Sequence, residues 1–192
     1  VTDLDFAAYR SGPAGNVAGN MLLQDMIPEI KIPNYAYKNQ GDLTFLDFTK
    51  EWGLEVPSFS NGAAYADLDN DGDLDLVTNN INDEAFVYRN NLMETNKNAA
   101  GFLRIKLIGD STNLQAFGAK IWVYQNDKMY YAEHQTHRGY KSTVEDVEHF
   151  GLGAGQAQNI DSIKIVWPGG KSQLLKDIPA NKLITLHEKD AV

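Results

Sequence analysis

Cysteine is absent from this 192-residue chain, and other absences narrow its class further. Without cysteine the protein forms no disulfide and offers no thiolate ligand, which fits a chain stabilised by its hydrophobic core or by a hard metal ion. No stretch approaches about 18 consecutive apolar residues, so we expect no membrane span. Residues 1–3 (Val-Thr-Asp) lack the basic start and apolar run of a signal peptide. We therefore expect a mature or trimmed piece whose own N-terminus does not report its compartment.

The negative charge of the chain is concentrated in its first half. Residues 1–98 hold 16 acidic and 6 basic side chains, whereas residues 99–192 hold 10 acidic and 11 basic ones. The total is −9 at pH 7. An acidic half argues against nucleic acid as a partner, because binding to phosphates needs a basic surface. The same excess favours binding of a cation.

The dominant pattern along the chain is the two-residue alternation of short β-strands separated by turns. It predicts a mainly β fold, with a hairpin around residues 34–48 and an antiparallel β-sandwich in the second half. The alternating segments lie near residues 34–39, 43–48, 74–77, 86–91, 103–107, 120–124, 129–132, 163–167 and 183–186.

Three domains are predicted from these patterns. Residues 1–33 form an N-terminal segment with a loop and a short helix over 20–27 that ends before Pro28. Residues 34–98 form a repeat, because Tyr-Ala-Tyr-Lys-Asn at 35–39 is similar to Phe-Val-Tyr-Arg-Asn at 86–90. Residues 99–192 form the sandwich; the border follows a polar stretch and the shift in charge.

The strongest motif is an acidic loop with carboxylates at every second position. Gly72, at position 6, permits the sharp turn that curls such a loop around an ion. Calcium prefers six to eight oxygen ligands, which alternate residues of a curled loop supply. Thr78 stands where an EF-hand needs a bidentate Glu, so the loop is of another type. The five candidate ligands are Asp67, Asp69, Asp71, Asp73 and Asp75.

The ligand roles follow from the spacing and, for Asp73, from the pattern of related calcium loops. We expect side-chain ligands from Asp67, Asp69, Asp71 and Asp75, a backbone carbonyl ligand from Asp73, and water to complete the shell. The alternative is an acidic surface turn without an ion, but its like charges would repel one another between two apolar strands. Magnesium demands a tighter octahedron, and zinc would need His or Cys near the loop.

The first half resembles the FG-GAP/VCBS repeat family. The resemblance rests on residues 37–45 (Tyr-Lys-Asn-Gln-Gly-Asp-Leu-Thr-Phe) and on 61–76, which contain the acidic loop. It implies that each repeat is a β-propeller blade and that the five aspartates of the loop bind calcium. One or two blades cannot close a propeller, so we expect a partial propeller-like segment or an excerpt of a longer protein.

The second half resembles the ASPIC/UnbV domain over about residues 101–187. The matching pieces are residues 117–121 (Phe-Gly-Ala-Lys-Ile), 138–142 (Arg-Gly-Tyr-Lys-Ser), 149–153 (His-Phe-Gly-Leu-Gly) and 166–171 (Val-Trp-Pro-Gly-Gly-Lys). The resemblance implies a domain that follows such repeats in surface and extracellular proteins. It implies architecture and location more than activity.

Other side chains invite sharper hypotheses. Residues 133–137 (Glu-His-Gln-Thr-His) lack the spacing of a helical zinc site, so we expect no metal there. Arg138 and His149 frame a ligand pocket or serve as structural residues that satisfy carbonyls at a turn. The aromatic side chains, among them Trp52, Trp122, Trp167 and the nine tyrosines, either stack on sugar rings or pack in the core and in cross-strand pairs.

We therefore expect a non-enzymatic, calcium-binding module that is secreted or on a cell surface and that binds an extracellular protein or glycan. The alternatives are a carbohydrate-binding accessory domain of a larger carbohydrate-active protein and, third, a hydrolase in its own right. No nucleic acid and no membrane span is expected.

Overall fold

The computed structural model describes residues 30–95, 100–154 and 159–192 and confirms the mainly β prediction. The chain divides into two units, residues 1–59 and 60–192. The helix expected over 20–27 lies outside the described residues. The expected domain borders at residues 33/34 and 98/99 stay a prediction. Within the described ranges, no helix is long and apolar enough to cross a membrane.

The first unit contains the expected hairpin. Strands β1 (Tyr37–Asn39) and β2 (Phe45–Asp47) pair antiparallel, with Tyr37 opposite Asp47. Asp42 closes the turn between them, because its carboxylate accepts hydrogen bonds from the backbone N–H and the hydroxyl of Thr44 at 3.0 and 2.5 Å. This is the turn predicted from the Gln-Gly-Asp sequence at residues 40–42.

The second unit begins with a three-stranded antiparallel sheet. Strands β3 (Ser60–Ala66), β4 (Asp75–Asn80) and β5 (Phe86–Tyr88) follow one another in space in chain order. The acidic loop connects β3 to β4, as the sequence predicts. A single helical turn, α1 (Leu92–Thr95), follows β5.

Two further sheets form the sandwich. The three-stranded sheet has the order β12-β6-β9, and the four-stranded sheet has the order β11-β10-β7-β8. Their strands are β6 (Ala100–Ile108), β7 (Lys120–Gln125), β8 (Lys128–Glu133), β9 (Glu148–Ala154), β10 (Ile160–Val166), β11 (Ser172–Ile178) and β12 (Lys182–His187). A 3₁₀ turn at Glu188–Asp190 follows β12.

The core lies between these two sheets. Alternate residues of β6, namely Leu103, Ile105 and Leu107, are fully buried against Ile121 of β7 and other apolar side chains of the same cluster. Alternation with a period of two puts such residues on one face of a strand, which is why the sequence predicted these strands. The indole of Trp167 is also part of this core.

One pairing in the sandwich differs from the expected antiparallel arrangement. Strand β12 pairs with β6 in parallel, with Ile184 opposite Ile105. A parallel pair needs a long crossover connection, and here the chain builds five other strands between β6 and β12. The alternation pattern predicts each strand but not its direction relative to a neighbour.

Candidate metal centre

The hairpin of β3 and β4 shapes the acidic loop. Ala66 and Asp75 are register partners, so the residues between them must reverse the chain within one turn. Two of them do so with left-handed backbone, Asn70 at φ 61° and Gly72 at φ 101°. Gly72 has a second reason to lack a side chain, because a Cβ there would lie 2.0 Å from Cε1 of Phe102.

Three of the predicted ligands converge in this loop. Asp67, Asp69 and Asp71 each offer a carboxylate oxygen, and these oxygens all lie within 4.8 Å of one another. Calcium binds oxygens at about 2.3–2.6 Å, so two ligands on opposite sides of the ion are about 5 Å apart. The three oxygens are therefore close enough together to share one divalent cation.

Backbone N–H groups hold these carboxylates in place. The two oxygens of Asp67 accept hydrogen bonds from the N–H groups of Asp71 and Gly72, at 3.1 and 3.2 Å. Oδ1 of Asp71 accepts one from the N–H of Asp73 at 3.0 Å. The loop's own backbone thus fixes the directions of the Asp67 and Asp71 carboxylates.

Two buried carboxylate oxygens in the loop have no hydrogen-bond partner within the described part of the chain. They are Oδ2 of Asp71 and Oδ1 of Asp73. The other oxygen of Asp73 accepts a hydrogen bond from the N–H of Met93 at 2.9 Å. Burial raises the pKa of Asp73. The hydrogen bond from Met93 acts in the opposite direction, and the negative charges of the neighbouring aspartates raise the pKa further. A buried oxygen without a partner is costly, and a cation would satisfy it.

Asp75 is used differently. Its carboxylate is buried and does not belong to the converging trio. Its two oxygens accept hydrogen bonds from the backbone N–H groups of Asn90, at 2.8 Å, and Leu68, at 3.1 Å. Asp75 therefore closes the base of the loop and ties it to Asn90, two residues after β5.

Two arginines offset part of the loop's charge. Arg89 is exposed and binds Asp69 at 2.7 Å and also Glu94. Arg104 of β6 is buried, and its Nη1 lies 2.6 Å from Oδ2 of Asp67. Each of these arginines also binds a glutamate, Glu94 or Glu145, so two shared cations leave the charge of the five aspartates only partly compensated. The remaining charge and the all-oxygen donor set fit a hard divalent cation.

The other candidate residues lie apart from this loop or on its border. His134 is buried, with Nδ1 3.0 Å from Glu148 and Nε2 3.1 Å from Asp146. Ionised carboxylates only accept hydrogen bonds, so the doubly protonated imidazolium satisfies both contacts. Burial opposes this charged form, but the hydrogen bond to Glu148 and the charges of Glu148 and Asp146 outweigh it, so the pKa of His134 is raised. His137 is exposed and pairs with Thr143 in an isolated bridge.

Arg138 and His149 make separate contacts. The Nε of Arg138 donates to the hydroxyl of Tyr65 at 3.3 Å, and its Nη2 lies 3.8 Å from Glu148. The Nε2 of His149 donates to the backbone carbonyl of Gly72 at 3.0 Å. Of the two roles expected for His149, a pocket residue or a structural one, this contact fits the structural role: His149 satisfies a carbonyl at a turn, in the acidic loop.

The sequence did not single out Arg104 or Glu145. Arg104 alternates with buried residues of β6 and so reads as a solvent-facing position. The Nη2 of Arg104 lies 2.9 Å from Glu145, so one guanidinium joins the acidic loop to the segment before β9. Lys106 follows two residues later with the same alternation, so no local signal in the sequence singles out Arg104.

The fold and the loop define a mainly β chain in which an acidic hairpin precedes a sandwich. Residues 24–78 match the model of the FG-GAP-like repeat, and residues 109–192 match that of the ASPIC and UnbV domain. The chain thus has the FG-GAP plus ASPIC/UnbV architecture that its motifs suggested. A search of curated proteins gave no match. The first matched segment contains the converging trio, and Arg104 lies between the two segments.

Proposed function

We propose that the acidic loop binds one calcium ion and that the chain is a non-enzymatic, calcium-stabilised module of a secreted or cell-surface protein. The observation that supports this most directly is the convergence of Asp67, Asp69 and Asp71 within 4.8 Å, beside the buried Oδ2 of Asp71 that lacks a partner. The loop offers three oxygens close enough to bind one calcium ion. Calcium would also remove the energetic cost of burying the Asp71 oxygen without a partner.

The role of the ion is structural. It neutralises charge in the loop and fixes the turn from which β3 and β4 run, and an ion that binds only the folded chain stabilises it by mass action. Millimolar calcium outside cells fills even a site with a Kd of about 10⁻⁴ M. That concentration, together with the FG-GAP-like repeat, supports an extracellular address.

The test is a calcium titration with thermal melting of the wild type and Asp71→Asn. Asparagine keeps the acceptor for the N–H of Asp73 but removes the charge and the unpartnered oxygen. At about 2 mM calcium and a Kd of about 10⁻⁴ M, the wild type gains about 1.8 kcal/mol. This corresponds to a rise in Tm of about 4–7 °C for a chain of this size. We expect Asp71→Asn to gain less than about 1 °C.

The matched control removes two acidic charges elsewhere in the second unit. Asp127→Ala with Glu133→Ala changes exposed residues at the β7–β8 turn and the end of β8, and it should keep the full calcium response. Asp69→Ala with Asp71→Ala should lose the response. Equal responses in the wild type and Asp71→Asn, or none in the wild type, would refute the calcium site.

Binding of an acidic glycan by the four-stranded sheet is the second candidate function. Four register partners form a row across its outer face, in the order Leu174, Lys164, Trp122 and Tyr131. The rings of Trp122 and Tyr131 are 5.2 Å apart, and the Nζ of Lys164 lies 5.7 Å from the Trp122 ring. Planar rings stack on sugar faces, and the positive charge of Lys164 beside them favours a chain that carries carboxylates. Trp167, another aromatic candidate, is buried in the core.

This candidate is tested by titrating polygalacturonate, with amylose as the neutral comparison. Trp122→Ala with Tyr131→Ala should weaken binding of polygalacturonate about tenfold or more, a loss of at least about 1.4 kcal/mol. Tyr140→Ala, a change of an exposed aromatic outside the strands, is the control and should leave binding unchanged. Equal binding of both polymers would refute the role of charge, and binding of neither would reject the candidate.

A further inference from the structure

The acidic loop lies against the outer face of the sandwich sheet β12-β6-β9, where side chains of β6 and β9 contact it. Phe102 and Arg104 alternate with the buried residues of β6, and Arg104 is the register partner of His149 on β9. The rings of Phe102 and His149 stack, with centroids 6.0 Å apart and planes inclined by 10°. These three side chains make a platform, defined here as Phe102, Arg104 and His149, under the loop.

The platform contacts the loop mainly at two residues, Gly72 and Asp67. Phe102 occupies the space where Gly72 lacks a Cβ, and His149 donates to the carbonyl of the same glycine. Arg104 binds the carboxylate of Asp67, one of the trio that would hold the ion. The position of the loop and the conformation of the platform are therefore linked by packing, by a hydrogen bond and by an ion pair.

Arg104 extends the link beyond the loop. Its guanidinium uses Nη1 for Asp67, at 2.6 Å, and Nη2 for both oxygens of Glu145, at 3.1 and 2.9 Å. Only a planar fork with several N–H groups holds two carboxylates at once in fixed directions. Because the guanidinium is buried, loss of order at either carboxylate leaves charge unpaired in a poorly solvated place.

We propose that Arg104 couples the acidic loop to the sandwich, so that a cation bound in the loop also stabilises strands β6 and β9. This inference rests on the proposed calcium site. An ion stabilises every segment that must open together with its site. The platform makes β6 and β9 such segments, and Arg104 is its positioning residue.

Hydrogen exchange followed by mass spectrometry on the full chain tests the coupling, with and without about 2 mM calcium chloride. In the wild type we expect calcium to slow exchange about tenfold or more in peptides from the loop and in those covering residues 101–105 and 148–151. In Arg104→Lys the positive charge remains but the fork is lost. Calcium should then protect the loop and leave the two strands unchanged.

Two comparisons make the outcome specific. Lys106→Gln changes a cation on the same face of β6, two residues further on, and should keep the wild-type pattern of protection. If Arg104→Lys does not fold, Arg104→Gln replaces it, because glutamine removes the fork without leaving a buried cation that needs a partner. The same selective loss of strand protection is expected.

The failures are distinguishable. Protection of the loop without protection of β6 and β9 in the wild type would overturn the coupling and leave the calcium site intact. Unchanged strand protection in Arg104→Lys would overturn the role of Arg104. If calcium protects neither the loop nor the strands, the calcium site itself is refuted and the coupling with it.

Discussion

Replacing Gly72 by alanine should destabilise the protein even without metal, for two separable reasons. The first is the backbone, because φ of 101° lies in a region where a Cβ costs about 1–2 kcal/mol. The second is space, because the new Cβ would lie 2.0–2.5 Å from three atoms of the Phe102 ring. Overpacking of this kind costs about 1–3 kcal/mol. The sum is about 2–5 kcal/mol.

Gly170→Ala separates the two contributions. Gly170 also has a positive φ, 88°, but a Cβ there meets nothing within 4 Å, so its replacement carries only the backbone cost of about 1–2 kcal/mol. Both glycines belong to the second unit. The excess cost of Gly72→Ala over Gly170→Ala therefore measures the contact with Phe102.

The assay is urea denaturation in EDTA, followed by tryptophan fluorescence and analysed by linear extrapolation. A double-mutant cycle with Phe102→Ala should recover about 1–3 kcal/mol of the cost of Gly72→Ala, because the ring that obstructs the Cβ is gone. If Gly72→Ala costs no more than Gly170→Ala, or the two substitutions at Gly72 and Phe102 are additive, the reasoning is refuted.

Two further predictions concern buried charges. Stability from the His134 imidazolium is complete below its ordinary pKa of 6.5 and is lost as the pH rises through the raised folded value. Urea denaturation between about pH 6 and pH 9 should therefore show a fall that His134→Gln flattens, and an equal slope in both proteins would contradict the assignment. Asp75→Asn should lower stability by about 2 kcal/mol, equally with and without calcium, in the same assay.

The strands were predictable because their signals are local. Alternation along β6 predicts that Leu103, Ile105 and Leu107 share one face, and all three are fully buried. The turn at residues 40–42 and the acidic hairpin also depend on neighbours within about ten residues. Convergence of Asp67, Asp69 and Asp71 follows likewise from spacing in a curled loop.

The platform was not predictable, because alternation does not tell which outer face of a sheet is covered. Arg104 has the spacing of a solvent-facing residue, yet its partner Asp67 lies 37 positions earlier in the chain. The contact of His149 with Gly72 spans 77 positions. Such contacts depend on how the hairpin packs against the sandwich, and the residue periodicity within either segment does not predict that packing.

The sequence and the structure give the carboxylate of Asp75 different roles, so replacing Asp75 tests one role directly against the other. Spacing makes Asp75 a calcium ligand, which predicts that Asp75→Asn weakens the calcium response as Asp71→Asn does. The structure gives both its oxygens to backbone N–H groups, so asparagine would keep one bond and turn a donor toward the other N–H. The cost then falls on the base of the loop and is the same in calcium and in EDTA. Melting Asp75→Asn in both conditions decides the matter: a lost calcium response makes Asp75 a ligand, and a lower Tm with an intact response makes it a brace.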